Sequence, residues 1–235
     1  MSENKDRILQ IKEELGVDET LAGLFLRYYE LLVCENEKTN LTAITQFDEV
    51  LTKHFKDAKA LLNHVNIDKG MKVADLGSGA GLPSIALAIC ASEGEFHSVE
   101  SVGKKTRFQE MVIKELDLHN IFVENYRIED FARKKEFRES FDLVCARALA
   151  PLRVLIEYAL PLLKVGGVFA AYKSGTPEEE ILEAENALKI LGGELVSVKK
   201  FEIDENSRSL VFIEKKKHTD EKYPRKAGIP TKKPL

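Results

Sequence analysis

The residues best suited to chemistry begin with three glycines spaced two apart, Gly77, Gly79 and Gly81, in the stretch DLGSGAGL at positions 75–82. They stand between the apolar run Val73–Leu76 and the small aliphatic run Ser84–Cys90. Without a Cβ the chain takes positive φ there and lets a ligand approach the main chain, while the helix that follows offers unpaired N–H donors. That is a nucleotide-type turn. Its spacing is G-x-G-x-G rather than G-x-G-x-x-G, with Pro83 where a first-turn proline is tolerated, so it departs from the dinucleotide fingerprint. Glycines alone also make bare strand-to-helix connections, and a second signal is needed. Glu100, in EFHSVES, supplies it: the carboxylate falls near the end of another apolar stretch, roughly twenty residues on, where an acid accepts hydrogen bonds from ribose hydroxyls. Arg147, in FDLVCARAL, and Lys173, after GGVFAAY, follow later apolar runs in the same way. Such positions are the ligand end of an open parallel sheet.

The elements that must position these groups alternate. From Met71 onward the order is strand VADL, helix PSIALAIC, strand FHSVE, helix KKTRFQEMVIKEL, strand IFVEN, a short helix, strand FDLVCA, helix PLRVLIEYALPLL, strand GGVFAAYK and helix PEEEILEAENALKIL. This spacing implies right-handed parallel βαβ units and a doubly wound sheet. GGELVSVKKFEID and SRSLVFIEKK break the alternation as two strands joined by the polar turn DENS, a closing hairpin with antiparallel pairing. Ahead of the sheet, 5–15, 18–35 and 47–62 carry apolar residues at helical spacing, the last following caps in NLTAIT. The expected organisation is a helical extension (1–66), an α/β domain (67–217) and a basic tail (218–235).

With 235 residues, 44% of them hydrophobic, the chain has material for a sizeable core. No apolar run approaches twenty residues and the first residues lack a signal-peptide pattern, so a cytoplasmic protein with no membrane partner is expected. Cys34, Cys90 and Cys145 are far apart in apolar surroundings and read as buried free thiols. The five histidines show no metal-ligand spacing. A net charge of −4 argues against non-specific coating of nucleic acid, yet Glu214–Leu235 holds eight Lys or Arg against three Asp or Glu. A basic tail on an acidic body is either a solvated terminus or a nucleic-acid contact.

The glycine turn, the acid after the second strand and the closing hairpin together resemble Rossmann-like class I methyltransferases that use S-adenosyl-L-methionine. NLTAI, DLGSGAGLP, VES with the KK that follows, YRIEDF, CARALAPL, the KSG after the fifth strand and the terminal YPRKAGIPTKKPL resemble, more narrowly, the bacterial 16S rRNA guanine-N7 methyltransferases, the glucose-inhibited division protein B family. The resemblance covers nearly the whole chain. It implies a mostly parallel seven-stranded sheet and methylation of N7 of one guanine in the decoding-region loop of 16S rRNA, presented as RNA or as the 30S subunit, by a monomer. It also implies cofactor contacts at Gly77 and Leu82, at Ile128 and Glu129 beside the adenine, and at Arg147. Gly79 joins these through the glycine turn and Glu100 through ribose chemistry. One departure is visible: the family often has Asp-Ser-Leu where this chain has Asp57-Ala58.

Guanine N7 carries an in-plane lone pair and attacks a sulfonium methyl without a general base, so positioning dominates. Arg147 is expected to face both cofactor and guanine, and Lys173 to hold a phosphate or the loop backbone. His54 belongs to the segment that flanks the substrate cleft in the family, whereas Lys53, Lys56 and Asp57 are expected on a solvated helix face. Arg225, Lys226, Lys232 and Lys233, interleaved with Tyr223 and three prolines, are expected along the RNA. Rival readings are a same-fold methyltransferase for a protein or small molecule, a nicotinamide-dependent oxidoreductase, and a non-catalytic RNA-binding module. Product analysis, methyl transfer set against nicotinamide binding, and cofactor calorimetry separate them.

Overall fold

The computed structural model describes residues 2–235. Seven strands form one sheet in the order β3-β2-β1-β4-β5-β7-β6. They are β1 (Lys72–Leu76), β2 (Glu95–Val99), β3 (Ile121–Glu124), β4 (Phe141–Arg147), β5 (Leu163–Ser174), β6 (Gly193–Ile203) and β7 (Asn206–Lys215). β1 to β5 pair in parallel, and β7 lies antiparallel between β5 and β6. The closing hairpin is antiparallel, as the DENS turn requires, and its second strand is the inner one. Asp204 and Glu205 make the two-residue turn with φ of 47° and 62°, the left-handed geometry that matches the twist of a hairpin.

Side chains alternate strictly between the two faces, because successive strand residues point to opposite sides. In β4, Leu143 and Cys145 join one core while Val144 and Ala146 join the other. The first face is covered by α1 (Ser2–Leu15), α2 (Glu19–Thr39), the helical stretch 47–63 and the helices Ser84–Cys90 and Gly103–Glu115. Phe25, Tyr28 and Phe55 pack ring to ring here, with centroids 5.0 Å (Phe25–Phe55) and 5.3 Å (Tyr28–Phe55) apart. The second face is covered by the helices Leu152–Ala159, Glu178–Glu183 and Glu185–Leu191.

Two expectations need correction. Cys145 is buried, but Cys34 is exposed. It lies two residues past Leu32 on α2, close to the opposite side from the buried stripe that includes Phe25, Tyr28 and Leu32. The basic tail, in turn, packs closely onto the second face. Lys215 is fully buried at the end of β7, its ammonium bonded to Glu139 at 2.5 Å and to the Leu160 carbonyl at 2.8 Å. Arg138 donates to the carbonyls of Tyr223 and Thr219 at 2.7 and 2.8 Å. Arg225 forks onto Glu157, Nε to Oε1 at 2.9 Å and Nη2 to Oε2 at 2.6 Å, and its own N–H reaches Oε1 at 2.8 Å. Arg225 is thus engaged by the protein itself, whereas Lys226, Lys232 and Lys233 stay exposed.

Candidate functional site

A cleft of about 690 Å³ opens at the carboxyl ends of β1, β4 and β5. The glycine turn forms one wall. Gly77 and Ser78 donate to the Val99 carbonyl at 2.9 and 3.1 Å, tying the turn to β2. Gly77 has φ +70°, which strains any residue with a Cβ, and a Cβ there would lie 2.7 Å from Leu149 Cδ1 and push that side chain in the loop after β4 aside. Gly79 has φ +61° with nothing within 4 Å of a built Cβ, so its Cα side faces open space in the cleft while its N–H and carbonyl are held by the protein.

The turn is held from behind by side chains that sequence reasoning did not single out. Gln109 donates to Ser78 Oγ at 2.9 Å and to the Gly79 carbonyl at 2.8 Å, while its carbonyl accepts from Ser98 at 2.6 Å. Tyr28, fully buried on α2, donates to the Ala80 carbonyl at 2.6 Å. Asp75 accepts from the Ser84 N–H at 3.0 Å through Oδ2, but its buried Oδ1 has no hydrogen-bond partner among the described residues. Burial pushes this carboxyl up to about 6. No pattern in the sequence pairs Tyr28 or Gln109 with the turn, since each bond spans dozens of residues.

Glu100 sits beneath the turn and is buried. Its Oε2 accepts from the Gly79 N–H at 3.0 Å and its Oε1 from the Val102 N–H at 2.8 Å. Each carboxylate oxygen has a second lone pair, so the group shapes the turn and retains accepting capacity. Glu129 is also buried, accepting from Gly228 N–H at 2.8 Å and Tyr158 OH at 3.3 Å. Neither acid lines the cleft, nor do Ile128 or residues 218–235. Gly77, Gly79, Leu82, Arg147, Lys173 and His54 do line it together.

Arg147 ends β4 and crosses to the stretch 47–63, where Nη1 donates to Asp57 Oδ2 at 3.0 Å and to the Lys53 carbonyl at 3.1 Å. Asp57 is therefore a buried partner rather than part of a solvated face, with Arg208 Nε a further 3.7 Å from its Oδ1. The local cause is a widened π-helical turn over Leu51–Lys56, which shifts the phase of the residues after it. The same turn presents His54 to the cleft, its Nε2 3.0 Å from Thr42 Oγ1. Burial first and the Arg147 charge second hold this imidazole down at about 4, so it is neutral at neutral pH. The loop after Arg147 begins with Ala148 at φ 50°, a left-handed non-glycine residue and hence local strain beside the cleft. Lys173 is taken up by Glu180 at 2.6 Å and the Ala150 carbonyl at 3.1 Å, its side chain only 9% exposed. It braces the cleft wall through the loop after β4.

A glycine turn that lines the cleft without side chains, backed by the Glu100 carboxylate with accepting capacity left over, fits a nucleoside with ribose hydroxyls to donate. The sequence matches the family model GidB, rRNA small subunit methyltransferase G, over residues 22–211. It is 46% identical over 213 residues to ribosomal RNA small subunit methyltransferase G of Desulfitobacterium hafniense, covering 90% of this chain and 88% of that one. The Geobacillus sp. protein of the same name is 42% identical over 227 residues, 95% of each chain. Among solved structures the chain is similar to an S-adenosylmethionine-dependent O-methyltransferase from Thermotoga maritima, with a TM-score of 0.54, 17% identity, and 80% and 72% of the two chains covered. An S-adenosylmethionine-dependent methyltransferase from Aquifex aeolicus gives a TM-score of 0.52 at 16% identity, covering 70% of this chain and 92% of that one.

Proposed function

We infer the reaction from one premise: this chain belongs to the rRNA small subunit methyltransferase G family and is an S-adenosylmethionine-dependent methyltransferase. Its proposed substrate is 16S rRNA, free or within the 30S subunit, and its proposed product is N7-methylguanine at one nucleotide of the decoding-region loop. The observation that carries the reading is the convergence of the glycine turn, Gly77 to Gly79, and the anchored Arg147 guanidinium on one cleft. The enzyme acts as a cytoplasmic monomer in this proposal, and among the described residues no helix is long and apolar enough to cross a membrane.

When bound, S-adenosylmethionine supplies a methyl group on a cationic sulfur. The remaining work belongs to the chain. The backbone around Gly77 and Gly79, with Leu82, holds the nucleoside and its amino-acid arm, and Glu100 takes the ribose hydroxyls. Ile128 and Glu129 lie on the adenine side. Arg147, fixed by Asp57 and the Lys53 carbonyl, offers a guanidinium plane against an unstacked base. Because guanine N7 already has a lone pair in the ring plane, no base is needed, and neutral His54 serves as a hydrogen-bonding wall. Holding N7 in line with the methyl group contributes up to about 7–11 kcal/mol through orientation. Exposed Lys226, Lys232 and Lys233 extend the RNA contact beyond the cleft.

The direct test incubates the protein with 16S rRNA or 30S subunits and methyl-labelled cofactor, followed by reduction and aniline cleavage, which breaks RNA at N7-methylguanine. One labelled guanine in the decoding-region loop is the expected result. Label on another base or atom, or on protein alone, would overturn the assignment.

A further inference from the structure

Two carboxylates line the cleft, Asp57 and Glu180, and they are differently placed. Asp57 has a side chain only 9% exposed, with Arg147 at 3.0 Å on Oδ2 and Arg208 at 3.7 Å from Oδ1. Its charge is answered on both oxygens. Glu180, in the helix Glu178–Glu183, has a side chain 39% exposed. Both hydrogen bonds that it accepts fall on Oε2, from Lys173 Nζ at 2.6 Å and from the Leu152 N–H at 2.7 Å. Lys173 is itself fixed by the Ala150 carbonyl at 3.1 Å. The carboxylate is thus pinned through one oxygen to the loop after β4, while Oε1 has no hydrogen-bond partner among the described residues.

An ionised carboxylate only accepts hydrogen bonds. Guanine is the RNA base that presents two adjacent donors, N1–H and the N2 amino group, on its Watson–Crick edge. Its N7 lies on the other edge, so a carboxylate bound to N1–H and N2–H leaves N7 free to meet the methyl group. We propose that Glu180 reads the Watson–Crick edge of the target guanine and stabilises the charge that develops on it; this rests on the guanine-N7 reading above. In the transfer the N7 lone pair becomes the new N–C bond and the S–C pair returns to sulfur. One positive charge moves from sulfur to the purine, and no proton is exchanged. Hydrogen bonds from N1–H and N2–H to a carboxylate strengthen as that charge grows, so they act on the transition state more than on the bound substrate. Adenine offers only its N6 amino donor beside an unprotonated N1 on the same edge, so the carboxylate would lose one partner and face the N1 lone pair.

The test crosses an enzyme variant with an atom of the substrate. Single-turnover rates are measured for the wild type, Glu180→Gln and Glu180→Asp on RNA or reconstituted subunits carrying guanosine, or inosine without the N2 amino group, at the methylated nucleotide. The wild type is expected to lose about tenfold or more on inosine, as for any donor paired with a charged acceptor. Glu180→Gln is expected to slow guanosine by about 10- to 100-fold and to shrink the inosine penalty to within about threefold, with cofactor affinity kept. Glu180→Asp, which keeps the charge on a shorter arm, retains the inosine penalty and carries the test if the glutamine variant does not fold. A wild-type rate in Glu180→Gln, or an undiminished inosine penalty, overturns the role of Glu180 and leaves the guanine reading standing. A methyl group mapped elsewhere than guanine N7 sinks the reading beneath it.

Discussion

The two ends of the chain are used in opposite ways. The N-terminal helices carry a mixed, unremarkable charge pattern, yet they reach into the site: Tyr28 holds the Ala80 carbonyl, and the stretch 47–63 brings Lys53, His54 and Asp57 to Arg147. The C-terminal end is conspicuously basic and lines none of the cleft. Its Arg225 and Lys215 are clasped by Glu157 and Glu139, and its backbone by Arg138. Charge density along a sequence therefore marks where cations are, while their availability depends on carboxylates tens of residues away.

The largest effect separating the two ends is expected at Glu157, whose side chain is 1% exposed. Glu157→Ala strips the Arg225 guanidinium and N–H of their acceptor, at a cost of about 2–3 kcal/mol. For a chain of this size that lowers the thermal midpoint by about 4–12 °C. A shift below about 2 °C would mean the tail is not anchored there, and a loss of methyl transfer beyond the loss of folded protein would bring the tail back into the site.

A middle-sized effect is expected at the other end. Tyr28→Phe leaves the Ala80 carbonyl without its donor and costs about 1–2 kcal/mol. Because Ala80 belongs to the glycine turn, calorimetry should show weaker binding of S-adenosylmethionine, by up to about tenfold. Unchanged affinity would reduce Tyr28 to a core residue.

The last effect concerns pH. His54 is held at about 4 against an ordinary 6.5, so between those values the unfolded chain binds a proton that the folded chain does not. Stability must then fall as pH drops from about 6.5 towards 4, and His54→Gln should flatten that part of the curve. Urea midpoints for the two proteins at pH 6.5 and 4.5 measure it; parallel slopes would show that His54 titrates normally.

Much of the fold was legible because strand and helix periods are local. The run VADL, the turn DLGSGAGL and the hairpin over DENS each form within a few residues, and all stand where the sequence places them. The cleft was legible at its ligand end for the same reason, since Gly77 follows β1 directly and Arg147 and Lys173 stand at the ends of β4 and β5. What escaped was long-range or out of phase. Asp57 is brought to Arg147 across 90 positions, through a π-helical turn that no 3.6-residue count anticipates. Arg225 meets Glu157 across 68 positions, and nothing local marks that acid as a buried partner. Glu180 lay within an acidic helix start, where three consecutive glutamates look alike until Lys173 singles one out.

The position of β7 bears on how the chain is made. Its ten residues lie between β5 and β6, so the strand synthesised last of the seven occupies an interior place in the sheet. While a ribosome is still making the segment before Asn206, that edge of β5 has no strand beside it, and the backbone of Phe169, Ala170 and Ala171 is unpaired there. An unpaired edge of that kind is a template for pairing with another chain. The nascent protein is thus most vulnerable to aggregation late in translation, and a chaperone that recognises extended apolar segments would act with greatest benefit in the interval before β7 is released.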